Sequence, residues 1–288
     1  MSLPQPPSSA HCYRHPDRET GRRCTRCGKP ACSDCLVQAA VGSHCLDCIK
    51  AAQPDLKTRV KYATAKQHTL ATYVLMAINF AVFVWISAGD TSTLGGGLGG
   101  GQVSERQFEL GLNRLRLHAT HEWYRLLTSG FLHFGVLHIA LNMYILYALG
   151  QMLERTLGPV KFALMYFAAL LGGSAGVLLL AGSNDRAITG GASGAVFGLL
   201  AAAAIAMHRE GINIMQTGIG RALVINLVFT FVIPGISIGG HLGGIVTGAA
   251  CGAVMLAPKW KPVPNWAKFA TPVAVGILAV VISVVRVG

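Results

Sequence analysis

Gly190-Gly191-Ala192-Ser193-Gly194-Ala195-Val196-Phe197-Gly198 sets one serine among glycines at the mouth of an apolar run. Gly190, Gly194, Gly198 and Ala202 recur at four-residue spacing, which on a helix makes a stripe of small residues where a second backbone can approach closely. The pattern is not the nucleophile elbow of soluble hydrolases, because Ala195 stands where that motif needs a second glycine. A helix must therefore position this serine. Further apolar runs surround it, at 69–88, 135–152, 160–181, 219–234, 241–257 and 268–286, with its own at 192–207. Together they predict seven membrane helices, since about 20 apolar residues at about 1.5 Å each cross roughly 30 Å of hydrocarbon.

Composition agrees with this class. Of 288 residues 52% are hydrophobic and only 12% charged, which is extreme for a soluble protein. The net charge of +12 sits mainly in the first seventy residues and in the connections between apolar runs. That distribution points to anionic lipid and an orientation signal, with no nucleic-acid partner. Lys57, Arg59, Lys61 and Lys66 precede the first run and predict a cytoplasmic N-terminus. The basic connections Glu154 to Lys161, His208 to Arg221 and Lys259 to Lys268 then fall on the same side, and the C-terminus lies outside. Leu94 to Gly101 reads as a flexible glycine linker. Residues 102–126 alternate arginine with Leu, Phe and Trp and suit interfacial helices in an extracytoplasmic loop, which Trp123 and Arg125 would stabilise.

Seven of the eight cysteines lie between Cys12 and Cys48. Residues 1–50 contain no apolar secretory segment, so zinc in a reducing cytoplasm is favoured over disulfides. The pairs Cys12-x2-His15, Cys24-x2-Cys27, Cys32-x2-Cys35 and Cys45-x2-Cys48 each place two soft ligands on one knuckle, and four pairs make two tetrahedral sites. This resembles the B-box type of zinc finger. Its interleaved arrangement implies Cys12, His15, Cys32 and Cys35 on one Zn2+ and Cys24, Cys27, Cys45 and Cys48 on the other. His44 stands next to Cys45 as an alternative to one of the cysteines. Both ions would be structural, and modules of this kind bind other proteins, here a cytoplasmic partner. The expected organisation is a tail at 1–11, a double zinc finger at 12–50, a basic linker at 51–68 and an all-α polytopic membrane bundle at 69–288.

Polar residues are costly inside a membrane, so each one there is a functional candidate. His133, His138, Asn142, Ser193 and His241 stand out, and His133 reads as a satisfied interfacial histidine. Gly240, Gly244, Gly248 and Gly252 form a second small-residue stripe. One return pass separates the two striped helices, so they run the same way, with Ser193 and His241 at the same end. Histidine can take the proton of a serine hydroxyl and make it a nucleophile. No third acid is evident: Glu154, Asp185 and Glu210 fall in loops or at helix ends, and packing would have to orient His241. His138 and Asn142, at i and i+4, project from one helical face toward a developing oxyanion.

From Thr69 to Gly288 the chain resembles the rhomboid intramembrane serine proteases, through Trp123-Tyr-Arg125, His138-x3-Asn142, Gly190-Gly-Ala-Ser193-Gly194 and Gly240-His241-x2-Gly244 taken in order. The resemblance implies six core helices plus one at the C-terminus. It implies Ser193 as nucleophile, His241 as general base, and His138, Asn142 and the Ser193 backbone N–H as oxyanion donors. Phe197 occupies the place of a tyrosine that stacks on the histidine in this family, keeping the ring without the hydroxyl. The expected substrates are transmembrane segments of other proteins, cut near the extracytoplasmic side after entry past the helix carrying Leu227, Phe229 and Phe231. Two rivals differ in class: a catalytically silent relative that binds transmembrane clients, and a transporter.

Overall fold

A computed structural model describes residues 10–39, 41–53, 69–96, 102–182, 185–258 and 260–288. The first nine residues of the expected tail, most of the basic linker, Gly97 to Gly101 and Lys259 lie outside the described residues. Two compact units result, Met1–Gln67 and His68–Gly288.

The first unit is not helical throughout. Strand β1 (Ala10–His11) pairs antiparallel with β2 (Glu19–Thr20). Strand β3 (Leu36–Gln38) pairs with β4 (Ser43–Cys45), Leu36 facing Cys45, and a short helix α1 (Leu46–Ala52) follows. Its apolar cluster consists of Cys12, Ala31, Cys32 and Cys35 with Tyr13, Leu36 and Leu46 against them. Cysteines make up most of that core, and so small a core cannot offset the conformational entropy of ordering the chain without a further cross-link.

In the second unit, five helices are long and apolar enough to cross a membrane: α2 (Leu70–Gly89), α6 (Val136–Leu157), α7 (Pro159–Leu180), α10 (Ile238–Met255) and α11 (Asn265–Val287). Three short helices, α3 (Glu105–Leu110), α4 (Arg114–Thr120) and α5 (Arg125–Thr128), connect α2 to α6. The remaining two apolar helices are shorter than full spans. Helix α8 (Ser193–Arg209) has 17 residues and α9 (Gly218–Val232) has 15, about 25 Å and about 22 Å at the α-helical rise. All seven expected helices are present, and the two short ones fall where the apolar runs, at 192–207 and 219–234, are themselves short. Large apolar side chains cover the outer surface, among them Val74, Val246, Ile277 and Val285, as lipid contact requires.

Helix α10 is wedged between α7 and α8, glycine against glycine on both sides. Gly244 and Gly248 meet the backbone of Gly194 and Gly198 on α8, and Gly252 meets Ala202. On the other side Gly239 and Gly243 meet the backbone of Gly176 and Gly172 on α7. The expected stripes hold only in part. Gly190 precedes α8 and packs on Leu132, while the Cβ position of Gly240 faces Ser237 and Val177. The second face, toward α7, is an addition. Replacing Gly248 by Val puts a branched side chain onto the Gly198 backbone, and we expect a loss of more than about 3 kcal/mol, above the usual range for overpacking. Thermal unfolding in detergent would reveal it as a clearly lower Tm, whereas the lipid-facing control Val246→Ala should leave Tm unchanged.

Local chemistry fixes the remaining connections. Gly158 alone joins α6 to α7, with φ +82° and Pro159 opening the next helix, so the expected loop from Glu154 to Lys161 is helical on both sides. Glu154 is buried in the last turn of α6 and accepts hydrogen bonds from the Ala71 and Thr72 N–H groups (2.8 Å each) and the Thr72 hydroxyl (2.6 Å). It thereby caps α2, whose N-cap residue Thr69 makes no side-chain cap of its own. The expected glycine linker is ordered where it is described: Thr91–Gly95 is a 3-10 turn capped by Asp90, and Gly96 packs on the backbone of Phe134 and Gly135. Arg125 is fully buried. It donates to the carbonyls of Phe108 (2.8 Å) and Gly111 (2.9 Å) and pairs with Glu122 (2.6 Å), tying α3 to α5. Those bonds lower the Glu122 carboxyl below its ordinary value, Arg125 being the largest cause.

Candidate active site and metal centre

Ser193 is the first residue of α8 and His241 the fourth of α10. Glycine packing between these parallel helices brings the His241 Nε2 to 2.9 Å from the Ser193 Oγ. The imidazole is 6% exposed and lies flat on Phe197, with ring centroids 4.0 Å apart and planes at 26°. Stacking therefore survives without the tyrosine hydroxyl. Packing is not the whole of what orients His241, however. Its other nitrogen, Nδ1, lies 2.6 Å from the hydroxyl of Thr230 on α9.

Ser193 shares its cavity of roughly 280 Å³ with His241, His138 and Asn142. The first N–H groups of α8 have no partner within the helix and leave partial positive charge at the serine. Just before them Gly191 has φ +137°, a conformation open mainly to glycine. A Cβ there would lie 3.0 Å from both Cε1 and Nε2 of His138. Glycine thus lets the His138 ring come up against the loop that carries Ser193. The His138 Nδ1 accepts from the Phe134 N–H at 3.4 Å, which leaves Nε2 as the protonated nitrogen on the cavity side. Asn142 is buried and donates one amide hydrogen to the His138 carbonyl at 3.0 Å; its amide has a second hydrogen to give.

His133 departs from expectation. It is fully buried with both ring nitrogens unpartnered, edge-on to His138 at 5.1 Å between centroids. Its ring thus departs from a satisfied interfacial histidine, while its carbonyl accepts from the Gln107 amide at 2.9 Å.

Thr230 escaped the sequence reading. A signal existed, because Asn226 and Thr230 stand at i and i+4 on an apolar helix, where polar residues are rare. Nothing along the chain links them to His241, and β-branched threonine is also ordinary filler in such a helix.

In the first unit the side chains gather into two tetrads, Cys12, His15, Cys32 and Cys35, and Cys24, Cys27, Cys45 and Cys48, each with its ligand atoms within 4.8 Å of one another. His44 belongs to neither and pairs with Val37 across the β3–β4 hairpin. The His15 Nδ1 lies 3.4 Å from Cys32 Sγ and 3.5 Å from Cys35 Sγ, and Cys27 Sγ lies 3.6 Å from Cys45 Sγ. These are the edges of a tetrahedron of roughly 2.1–2.2 Å radius, between the Zn–N and Zn–S bond lengths, and the Cys27–Cys45 separation far exceeds the roughly 2.05 Å of a disulfide. Electrostatics fit a cation as well. Burial raises the Cys12 thiol, but hydrogen bonds from the N–H groups of Cys32, Arg14 and His15 outweigh it and bring Cys12 down to about 6. Cys35, pushed up by burial and by the neighbouring Cys12 and Cys32, reaches about 11. A divalent ion removes that mutual repulsion. Both tetrads could bind metal.

Residues 120–258 match the family model described as "Rhomboid domain". Over 193 residues, 65% of this chain and 35% of the relative, the sequence is 32% identical to Rhomboid protease GluP of Bacillus subtilis (strain 168). It is 34% identical over 150 residues to RHOMBOID-like protein 4 of Arabidopsis thaliana, covering 51% of this chain and 37% of that one. Inactive RHOMBOID-like protein 8 of the same plant is 32% identical over 142 residues, 48% of this chain and 39% of the relative. The chain thus spans little more than a third of the length of these three relatives.

Proposed function

Given that this chain is a multi-pass membrane protein with a rhomboid domain, related to the rhomboid proteases, we propose that it is an intramembrane serine endopeptidase acting through Ser193 and His241. The single observation that carries the reading is the 2.9 Å contact between Ser193 Oγ and His241 Nε2 at a helix N-terminus in a cavity shared with two further donors. His241 takes the serine proton as Oγ attacks the scissile carbonyl. The Ser193 N–H, the His138 Nε2–H and the free amide hydrogen of Asn142 receive the oxyanion. The imidazolium protonates the leaving amine, and water then hydrolyses the acyl-serine by the same route.

The substrate class we propose is the transmembrane segments of other membrane proteins, cut near the extracytoplasmic side. Truncation of α8 supports this: a helix about 25 Å long leaves one end inside a hydrocarbon layer of roughly 30 Å, and the serine stands at its N-terminal end. Helix-breaking small residues near the cleaved bond are favoured, since a helical backbone must open before attack. The charges before α2 support a cytoplasmic N-terminus. We assign Zn2+ to the two tetrads; when bound it cross-links the hairpins into a folded unit for a protein partner, without catalysis.

Reconstitution with a single-pass substrate tests the activity. Product ends should map by mass spectrometry inside the membrane segment, and cuts confined to soluble loops would overturn the reading. A catalytically silent relative is the second reading, favoured by the likeness to an inactive protein; it requires that no product form.

A further inference from the structure

Helix α9 contributes to the site a group that no motif marks. Thr230 is 2% exposed, and its hydroxyl lies between two partners, the Asn226 carbonyl at 2.7 Å and the His241 Nδ1 at 2.6 Å. A hydroxyl has one hydrogen and two lone pairs, whereas a carbonyl oxygen can only accept. The Thr230 hydrogen therefore goes to Asn226, and its oxygen accepts from the Nδ1–H of His241. With the proton on Nδ1, the neutral imidazole leaves Nε2 as a lone pair facing the Ser193 hydroxyl. The opposite tautomer would present an N–H to that hydroxyl and could not act as base.

We infer that Thr230 is a positioning residue that fixes the Nδ1–H tautomer and ring orientation of His241, the part that a carboxylate plays in a serine-histidine-acid triad. The consequence for rate rests on Ser193 and His241 being nucleophile and base; the consequence for the tautomer does not. A neutral acceptor suits this place, because no carboxylate then has to be buried within the membrane. The Asn226 carbonyl that directs the threonine hydrogen lies one turn back on the same helix, so α9 must stay helical and seated against α10 for the tautomer to be held. The link also gives α9, the shorter of the two short apolar helices, a direct hold on the base.

The test uses the full-length protein labelled with 15N-histidine, the ring signals of His241 being assigned with His241→Gln. In wild type and Thr230→Ser the neutral ring should carry its proton on Nδ1; in Thr230→Val, which keeps the branched shape without the hydroxyl, this preference should be lost. On a transmembrane substrate Thr230→Val should lower kcat about 10- to 100-fold, the scale of a misplaced catalytic group, with KM within about twofold. Thr230→Ser should recover most of the rate. A proton on Nε2 in wild type, or an unchanged tautomer in Thr230→Val, overturns the inference. So does equal impairment of the Ser and Val variants, which would mean that Thr230 serves packing alone. Should wild type cleave nothing while the tautomer responds as expected, the protease reading fails and the role of Thr230 in setting the tautomer stands.

Discussion

Ser193→Ala is expected to reduce cleavage of a transmembrane substrate by at least about 10⁴-fold, and His241→Ala by a similar factor. The two residues act as one unit through the 2.9 Å contact between them, so the double variant should be hardly slower than either single one. On the proposed mechanism, alanine at 193 removes the atom that would form the acyl-enzyme, and alanine at 241 leaves that atom with its proton. Both variants should retain the wild-type Tm: the helices that carry them are held by glycine contacts below the site, from Gly244 on Gly194 to Gly252 on Ala202. His138→Ala and Asn142→Ala each remove one of the proposed oxyanion donors, and each should cost about 10²- to 10³-fold in kcat. Rates from the purified variants, together with their thermal unfolding, check the whole set. A Ser193→Ala protein cleaving at the wild-type rate would remove the basis for the proposed chemistry.

The other large effect is in the first unit. Purified full-length protein should carry two zinc ions per chain by elemental analysis, and Cys24→Ser should reduce the count by one. Stripping the metal should unfold this unit, because structural zinc in modules of this size supplies about 10 kcal/mol or more of folding free energy. Buried Ala31 among the cysteines, with Tyr13, Leu36 and Leu46 partly buried against them, is too small a cluster to hold alone. Proteolysis would show it as rapid cutting between residues 12 and 48 after chelation, with His68–Gly288 left intact. Acid should act in the same direction, since protons compete with the metal for thiolates. A metal-free protein whose cysteines titrate as disulfides would contradict the assignment.

Much of the fold was legible because lipid imposes a simple code. Long apolar runs gave each of the seven apolar helices among the described residues to within a few residues, and paired cysteines at two-residue spacing gave the tetrads that the first unit assembles. Ser193 and His241 could be read together since each sits at the same end of a helix with a small-residue stripe. Other features escaped because their causes are not local. Glu154 caps α2 from 82 residues away, and a carboxylate at a helix end shows nothing of that partner. The second glycine face of α10 was hidden because Gly239 and Gly243 fall between members of the stripe that points to α8. Gly190 matched the four-residue spacing yet lies outside the helix, as periodicity alone does not mark where a helix begins. Leu94 to Gly96 looked like free linker, but the backbone of Gly135 needs a glycine opposite it. Thr230 is the instructive miss: its role is set by the distance between α9 and α10, which no spacing along the chain encodes.

The most direct test of the central claim is covalent labelling by a fluorophosphonate, which reacts with a serine only when a neighbouring base activates it. Mass spectrometry of the treated full-length protein should place the adduct on Ser193, and His241→Ala should abolish it while Tm stays unchanged. An adduct that persists without His241, or none on Ser193 in the folded wild type, would contradict the account.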